Sequence, residues 1–199
     1  MIPDRIEAGS FLILGALAAK KLTVTDVIPE HLESLTELLA YTGTKVTTTK
    51  NSITVFANSK KNTLSAVNIR THEYPGFPTD LQAPMIVYLT QVTGESLVFE
   101  TIFEGRLNFT ESLNRMGANI SMMDPHRVLV RGCTPIKGTH LESPDLRAGL
   151  AFVIAAIIAK GESKIYNVYN IDRGYECIEE RLRSIGARIT RGERNTSGA

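Results

Sequence analysis

The sequence predicts an α/β (α+β) fold made of one module repeated three times, and three observations carry that prediction. Three segments open alike: Asp4-Arg5-Ile6-Glu7-Ala8-Gly9, Asp80-Leu81-Gln82-Ala83-Pro84 and Asp145-Leu146-Arg147-Ala148-Gly149. Each leads into an apolar run that is followed by a short β-branched stretch. A glycine ending a helical pattern then recurs at Gly43, Gly117 and Gly186, at spacings of roughly seventy residues, longer than the common solenoid repeats.

The apolar runs, Phe11 to Ala19, Met85 to Thr90 and Leu150 to Ala159, are too densely hydrophobic for surface helices and predict helices packed inside the domain. After them come predicted strands over Leu22 to Ile28, Ser96 to Ile102 and Lys164 to Tyr169. An amphipathic helix follows each strand and stops at Tyr41-Thr42-Gly43, Arg115-Met116-Gly117 and Ser184-Ile185-Gly186, where glycine tolerates the left-handed conformation of a helix C′ position. The first two modules continue into hairpins, Val46 to Thr49 with Ser52 to Phe56 and Ile120 to Met123 with Arg127 to Val130. These turn at Lys50-Asn51 and Asp124-Pro125-His126. Strands also precede Asp80 (Ala66 to Arg70) and Asp145 (Gly138 to Glu142). After Ile189 the third module runs into a polar tail with no hairpin, and little chain precedes Asp4, so both ends read as truncated against the internal pattern or as irregular terminal repeats.

The expected organisation is one globular domain over residues 1–191, in modules of about 1–60, 61–134 and 135–191, with a polar tail at 192–199. Hydrophobic residues at 43% and charged residues at 22% fit a folded globular chain. A formal net charge of +1 gives no electrostatic case for nucleic acid. The longest apolar stretch, Leu150 to Ala159, is too short to cross a bilayer, which argues against a membrane role. Two lone cysteines, Cys133 and Cys177, suit a reducing compartment, so a cytoplasmic location is expected.

Asp80 closes the turn Tyr74-Pro75-Gly76-Phe77-Pro78-Thr79 at the mouth of a buried helix, where a carboxylate serves either as an N-cap or as a general base. Asp4 and Asp145 occupy equivalent places. Arg5, Arg106, Arg147 and Arg173 recur near element ends, either as grips for a small polyanion or as partners in surface Asp–Arg pairs. His31, His72, His126 and His140 show no metal-ligand spacing, neither cysteine has a histidine beside it, and phosphate-loop glycines are lacking, so no metal or organic cofactor is implied.

Four motifs, Phe77-Pro78-Thr79-Asp80-Leu81-Gln82, Thr101-Ile102-Phe103-Glu104-Gly105-Arg106, Asp145-Leu146-Arg147-Ala148 and Ile171-Asp172-Arg173-Gly174-Tyr175-Glu176, together resemble the C-terminal half of the UDP-N-acetylglucosamine 1-carboxyvinyltransferases. The resemblance runs from Ile2 to about Arg191. It implies an inside-out α/β barrel of the enolpyruvyl transferase type, with three pseudo-symmetric β-α-β-α-β-β modules, the third incomplete. It also implies transfer of the enolpyruvyl group of phosphoenolpyruvate to the 3-hydroxyl of UDP-N-acetylglucosamine, with release of phosphate, as the first committed step of peptidoglycan synthesis. On the matching positions, Asp80 is the general base, Ile102 and Phe103 hold the nucleotide-sugar, and Arg106, Arg147 and Arg173 line the phosphoenolpyruvate and intermediate site. Asp145 is a further active-site acid and Arg5 a cleft residue. The partner implied is the N-terminal half of the same enzyme, which in the family supplies a Lys-Asn pair, a reactive-cysteine loop and the segment that finishes the C-terminal domain. This chain alone is therefore expected to be inactive. Gly105 departs from the family, where many relatives carry a polar side chain such as Asn. Two alternatives stand beside this reading: a non-catalytic nucleotide-sugar binding module, and a shikimate-type enolpyruvyl transferase.

Overall fold

Three apolar helices, α1 (Arg5–Ala18), α3 (Gln82–Leu89) and α5 (Leu146–Ile158), form the centre of the computed structural model, which describes residues 2–57 and 64–192. Every residue of α3 is buried, and the helices pack against one another in all three pairings. That is the arrangement the dense apolar runs predict. Helices without a polar face cannot sit at the surface, so the sheets lie outside them. One continuous apolar core runs from Ala8 to Leu182 and joins these helices to the inward faces of the strands, including Ile53, Val55, Val98, Val128 and Val130.

The strands form three separate sheets with related topologies. In the first, β1 (Leu22–Thr25), β2 (Lys45–Thr48) and β3 (Ser52–Phe56) lie in the order β1-β3-β2. In the second, β4 (Ile69–Arg70), β5 (Gly94–Phe99), β6 (Asn119–Asp124) and β7 (Arg127–Gly132) lie in the order β4-β5-β7-β6. Both place the second strand of a hairpin antiparallel to the strand that follows the central helix, with Leu22 opposite Val55 and Leu97 opposite Leu129. The third sheet contains only β8 (His140–Glu142) and β9 (Lys164–Tyr166). β4 pairs parallel with β5 and β8 with β9, each through a crossover containing the buried helix, as parallel pairing requires. No hairpin follows β9 among the described residues. The proposed tail at 192–199 lies outside the described residues except for Gly192. Just before it, Arg191 donates to both carboxylate oxygens of Asp172, at 2.6 and 2.9 Å, and to Glu179 at 2.9 Å.

The outer helices α2 (Glu33–Tyr41), α4 (Thr110–Arg115) and α7 (Ile178–Ser184) end as the glycine pattern predicts. Gly43, Gly117 and Gly186 have φ of 100°, 106° and 99°. The residue after each glycine donates its amide five residues back, Thr44 to Leu39, Ala118 to Leu113 and Ala187 to Leu182, at 3.0 Å in every case. This is the same Schellman closure three times.

The three strands predicted after the buried helices end sooner than expected. β1 stops at Thr25 and β9 at Tyr166 because the next residues, Asp26 and Asn167, take left-handed conformations with φ of 56°, which an extended strand excludes. A short helix, α6 (Tyr169–Asp172), occupies the end of the predicted third strand. β5 stops at Phe99 because the side chain of Glu100 captures the amides of Ile102 and Phe103 and turns the chain. The strands before Asp80 and Asp145 shrink to Ile69–Arg70 and His140–Glu142. On the edge strand β6, Met122 and Met123 are exposed, whereas Met85 and Met116 are sealed in the core.

Candidate active site

Asp4 and Asp145 cap their helices. Asp4 accepts from the amides of Ile6 and Glu7 at 2.7 and 3.2 Å, and Asp145 from those of Arg147 and Ala148 at 2.8 and 3.0 Å. Asp80 does not cap. A 3-10 turn over Thr79–Leu81 leads into α3, with Pro78 before it and no side-chain cap. The Asp80 carboxylate is left to meet guanidinium groups from other parts of the chain. Its Oδ1 accepts from Nη1 of Arg106 at 3.4 Å and from Nε of Arg147.

The two arginines arrive on different elements. Arg147 sits in the first turn of α5, its amide fixed by Asp145 and its side chain by Asp80. Arg106 lies in the loop after β5, with its guanidinium 4.2 Å from the centre of the Phe103 ring. Burial disfavours the charged form of Arg106, and the neighbouring Arg147 adds to that; Asp80, Glu100 and Asp145 oppose both. Side-chain exposure is 33% for Asp80, 37% for Arg147 and 14% for Arg106, so the carboxylate stays open to a ligand while one arginine is largely enclosed.

Thr79 and Glu100 complete the cluster. Arg106 Nη1 also donates to the Thr79 hydroxyl, and that hydroxyl donates to Glu100 Oε2 at 2.8 Å. Glu100 is fully buried. Its other oxygen accepts from the Ile102 and Phe103 amides at 2.9 and 3.2 Å, which fixes the backbone at those two positions. Neither Thr79 nor Glu100 was singled out from sequence. The available signal was a carboxylate inside an otherwise apolar, β-branched strand segment, where a charge requires partners.

Six of the eight sequence-derived site residues are thus brought together: Asp80, Ile102, Phe103, Arg106, Asp145 and Arg147. Arg5 stands elsewhere, 4.9 Å from the Tyr74 ring, which His31 meets edge-on at 6.1 Å. These residues line a separate open cleft of about 440 Å³ with Asp4 and Ile6. Arg173, exposed at the C-cap of α6, makes none of the cluster's hydrogen bonds. Tyr175, two residues on, is buried, with its hydroxyl 3.4 Å from Ser10 Oγ. Burial raises its pKa, and Asp80 and Arg147 both act on it electrostatically, which ties this segment to the cluster. Among the described residues no group of three His, Cys, Asp or Glu could hold a metal ion, and no helix is long and apolar enough to cross a membrane.

A carboxylate gripped by two arginines beside a turn of ordered backbone amides suits an anionic substrate with a hydroxyl to activate. The chain belongs to the EPSP synthase (3-phosphoshikimate 1-carboxyvinyltransferase) family, whose model matches residues 1–182. Within it, similar curated proteins are named UDP-N-acetylglucosamine 1-carboxyvinyltransferase. That of Koribacter versatilis is 47% identical over 191 residues, covering 96% of this chain and 43% of the relative. Those of Prochlorococcus marinus strain MIT 9312 and Helicobacter pylori strain Shi470 are 44% and 40% identical, each over 96% of this chain and 41% and 44% of the relative. The chain therefore spans less than half the length of these relatives. Among solved structures, the enolpyruvyl transferase NikO from Streptomyces tendae superposes with a TM-score of 0.87 at 26% identity, over 96% of this chain and 44% of that one. An EPSP synthase from Acinetobacter baumannii, at 0.72 and 15% identity over the same shares, has the same fold.

Proposed function

We propose that this chain is the C-terminal half of an enolpyruvyl transferase that moves the enolpyruvyl group of phosphoenolpyruvate to the 3-hydroxyl of UDP-N-acetylglucosamine, releasing phosphate at the start of peptidoglycan synthesis. The observation that carries the reading is the Asp80 carboxylate, freed from capping and bonded to arginines from two other elements. In this reading Asp80 accepts the proton of the sugar hydroxyl as its oxygen bonds to the enolpyruvyl carbon. As that bond forms, the donor's methylene carbon takes up a proton to give a tetrahedral adduct, and loss of a proton from the same carbon with expulsion of phosphate restores the carbon–carbon double bond. Arg106 and Arg147 balance the charge of the donor and the adduct, with Arg173 joining them from α6, because guanidinium groups hold carboxylate and phosphate oxygens through paired hydrogen bonds.

Ile102 and Phe103 hold the nucleotide-sugar, Asp145 aligns Arg147 through its amide, and Arg5 faces the cleft beside Tyr74. The N-terminal half of the same enzyme is the partner. It closes over the substrates, excludes water and supplies groups this chain does not carry, so the chain alone does not turn over. The free, exposed thiols of Cys133 and Cys177 suit a reducing cytoplasm.

A second reading, the shikimate-type transferase, is favoured by the family model's description; the names of relatives 40–47% identical favour the nucleotide-sugar. Phosphate release from phosphoenolpyruvate, measured with this chain and a separately expressed N-terminal half of a close relative, decides between them. Release that needs UDP-N-acetylglucosamine and vanishes in Asp80→Ala supports the first. Release that needs shikimate 3-phosphate supports the second. No release from a mixture shown to associate overturns both and leaves a binding module.

A further inference from the structure

The end of β5 buries a carboxylate completely, and such a group is stable only when its oxygens are hydrogen-bonded. Glu100 meets that demand by dividing its two oxygens between two parts of the site. Oε1 takes the amides of Ile102 and Phe103, and Oε2 takes the hydroxyl of Thr79. The Glu100 backbone is itself fixed to the turn between β6 and β7, its amide donating to the His126 carbonyl at 2.8 Å and its carbonyl 2.8 Å from His126 Nδ1. Thr79 has one proton, and it goes to Glu100. Only the hydroxyl's lone pairs remain for Arg106, whose Nη1 donates to them while also reaching Asp80. Each bond in the chain from Glu100 through Thr79 and Arg106 to Asp80 therefore has a fixed direction.

We infer that Glu100 is a positioning residue. It holds the backbone at Ile102 and Phe103 and, through Thr79, aims the Arg106 guanidinium at Asp80, so the segment that grips the acceptor and the carboxylate that takes its proton are set by one buried side chain. The identity of the ligands rests on the enolpyruvyl-transfer reading; the geometry does not.

Glu100→Gln separates positioning from bulk, because a carboxamide offers one acceptor and one donor end. Turned one way it loses the Thr79 proton, and turned the other it opposes the two amides. In the 199-residue chain, amide hydrogen exchange at Ile102 and Phe103 accelerates by about tenfold in Glu100→Gln, as a charged acceptor is replaced by a neutral one or a donor, while Val98 and Val128 in the neighbouring strands keep their rates. In the enzyme assembled with an N-terminal half, Glu100→Gln raises KM for UDP-N-acetylglucosamine by about tenfold and lowers kcat, because both the Ile102–Phe103 backbone and the Arg106 guanidinium lose their fixed positions. Thr79→Val lowers kcat without altering exchange at Ile102 and Phe103, and Glu100→Asp, one methylene short, does not restore the native values. Unchanged exchange at both amides, equal acceleration at Val98 and Val128, or an unchanged KM for UDP-N-acetylglucosamine overturns the inference. If the unaltered assembly releases no phosphate, the functional reading fails, and exchange in the chain alone still decides the role of Glu100.

Discussion

The turns that open the first and third modules differ from the turn that opens the second in what their aspartate does. Asp4 and Asp145 spend their carboxylates on amides of their own helices, whereas Asp80 turns to Arg106 and Arg147. The difference lies in the local backbone. At Asp4 and Asp145 the residue is extended and the α-helix begins at once, which leaves two amides within reach of the side chain. At Asp80 a 3-10 turn comes first, the residue is already part of it, and the carboxylate points away. A repeated motif thus recurs while one copy is released from capping, which leaves its carboxylate free for the proposed proton transfer.

The sharpest way to break this comparison is to delete each carboxylate and measure phosphate release in the assembled enzyme alongside urea denaturation of the chain. Asp80→Ala lowers turnover by about a thousandfold, the scale of a lost general base, with little change in chain stability because the Asp80 carboxylate is 33% exposed.

Glycine at the helix ends gives the next largest effect and compares the second and third modules. A Cβ on Gly117 lies 3.0 Å from the Pro135 carbonyl oxygen in addition to its positive φ, whereas a Cβ on Gly186 meets nothing within 4 Å. Gly186→Ala therefore costs about 1 kcal/mol, the left-handed penalty alone, and Gly117→Ala about 2 kcal/mol, both read from denaturation midpoints. Equal costs would show that the Pro135 segment yields.

Two smaller effects sharpen the comparison. Asp4→Ala costs about 1 kcal/mol of stability as a lost cap, and Asp4→Ser restores most of it, since a hydroxyl caps as well. Two residues after each aspartate stand Ile6, Gln82 and Arg147. Ile6 packs against the core, Arg147 reaches Asp80, and Gln82 is buried with neither amide atom hydrogen-bonded among the described residues. Removing an unpaired buried amide relieves its desolvation cost, so Gln82→Met stabilises the chain by about 1 kcal/mol in urea denaturation. A loss of stability instead would show that the amide has a partner in solution.

Much of this was legible in the sequence because it is encoded locally. The buried helices follow from apolar density at Phe11 to Ala19, Met85 to Thr90 and Leu150 to Ala159, and the helix ends from glycine at C′ positions. Strand ends were misjudged where a β-branched run meets a left-handed Asp26 or Asn167, since both residues tolerate that conformation without demanding it. Asp80, Arg106 and Arg147, which the structure brings together, were named by resemblance, whereas spacing alone favoured capping over chemistry for Asp80. Glu100 was hidden because its role depends on contacts across 21 residues to Thr79, which no local pattern reports.

The distribution of thioethers has a practical consequence. Met122 and Met123 stand 46% and 61% exposed on an edge strand, while Met85 and Met116 are 0% and 1% exposed. Sulfoxide formation follows access, so dilute peroxide modifies the hairpin pair and spares the inner pair as long as the core stays closed. Mass spectrometry after graded oxidation then gives each variant a built-in gauge of core opening, independent of any assay of turnover.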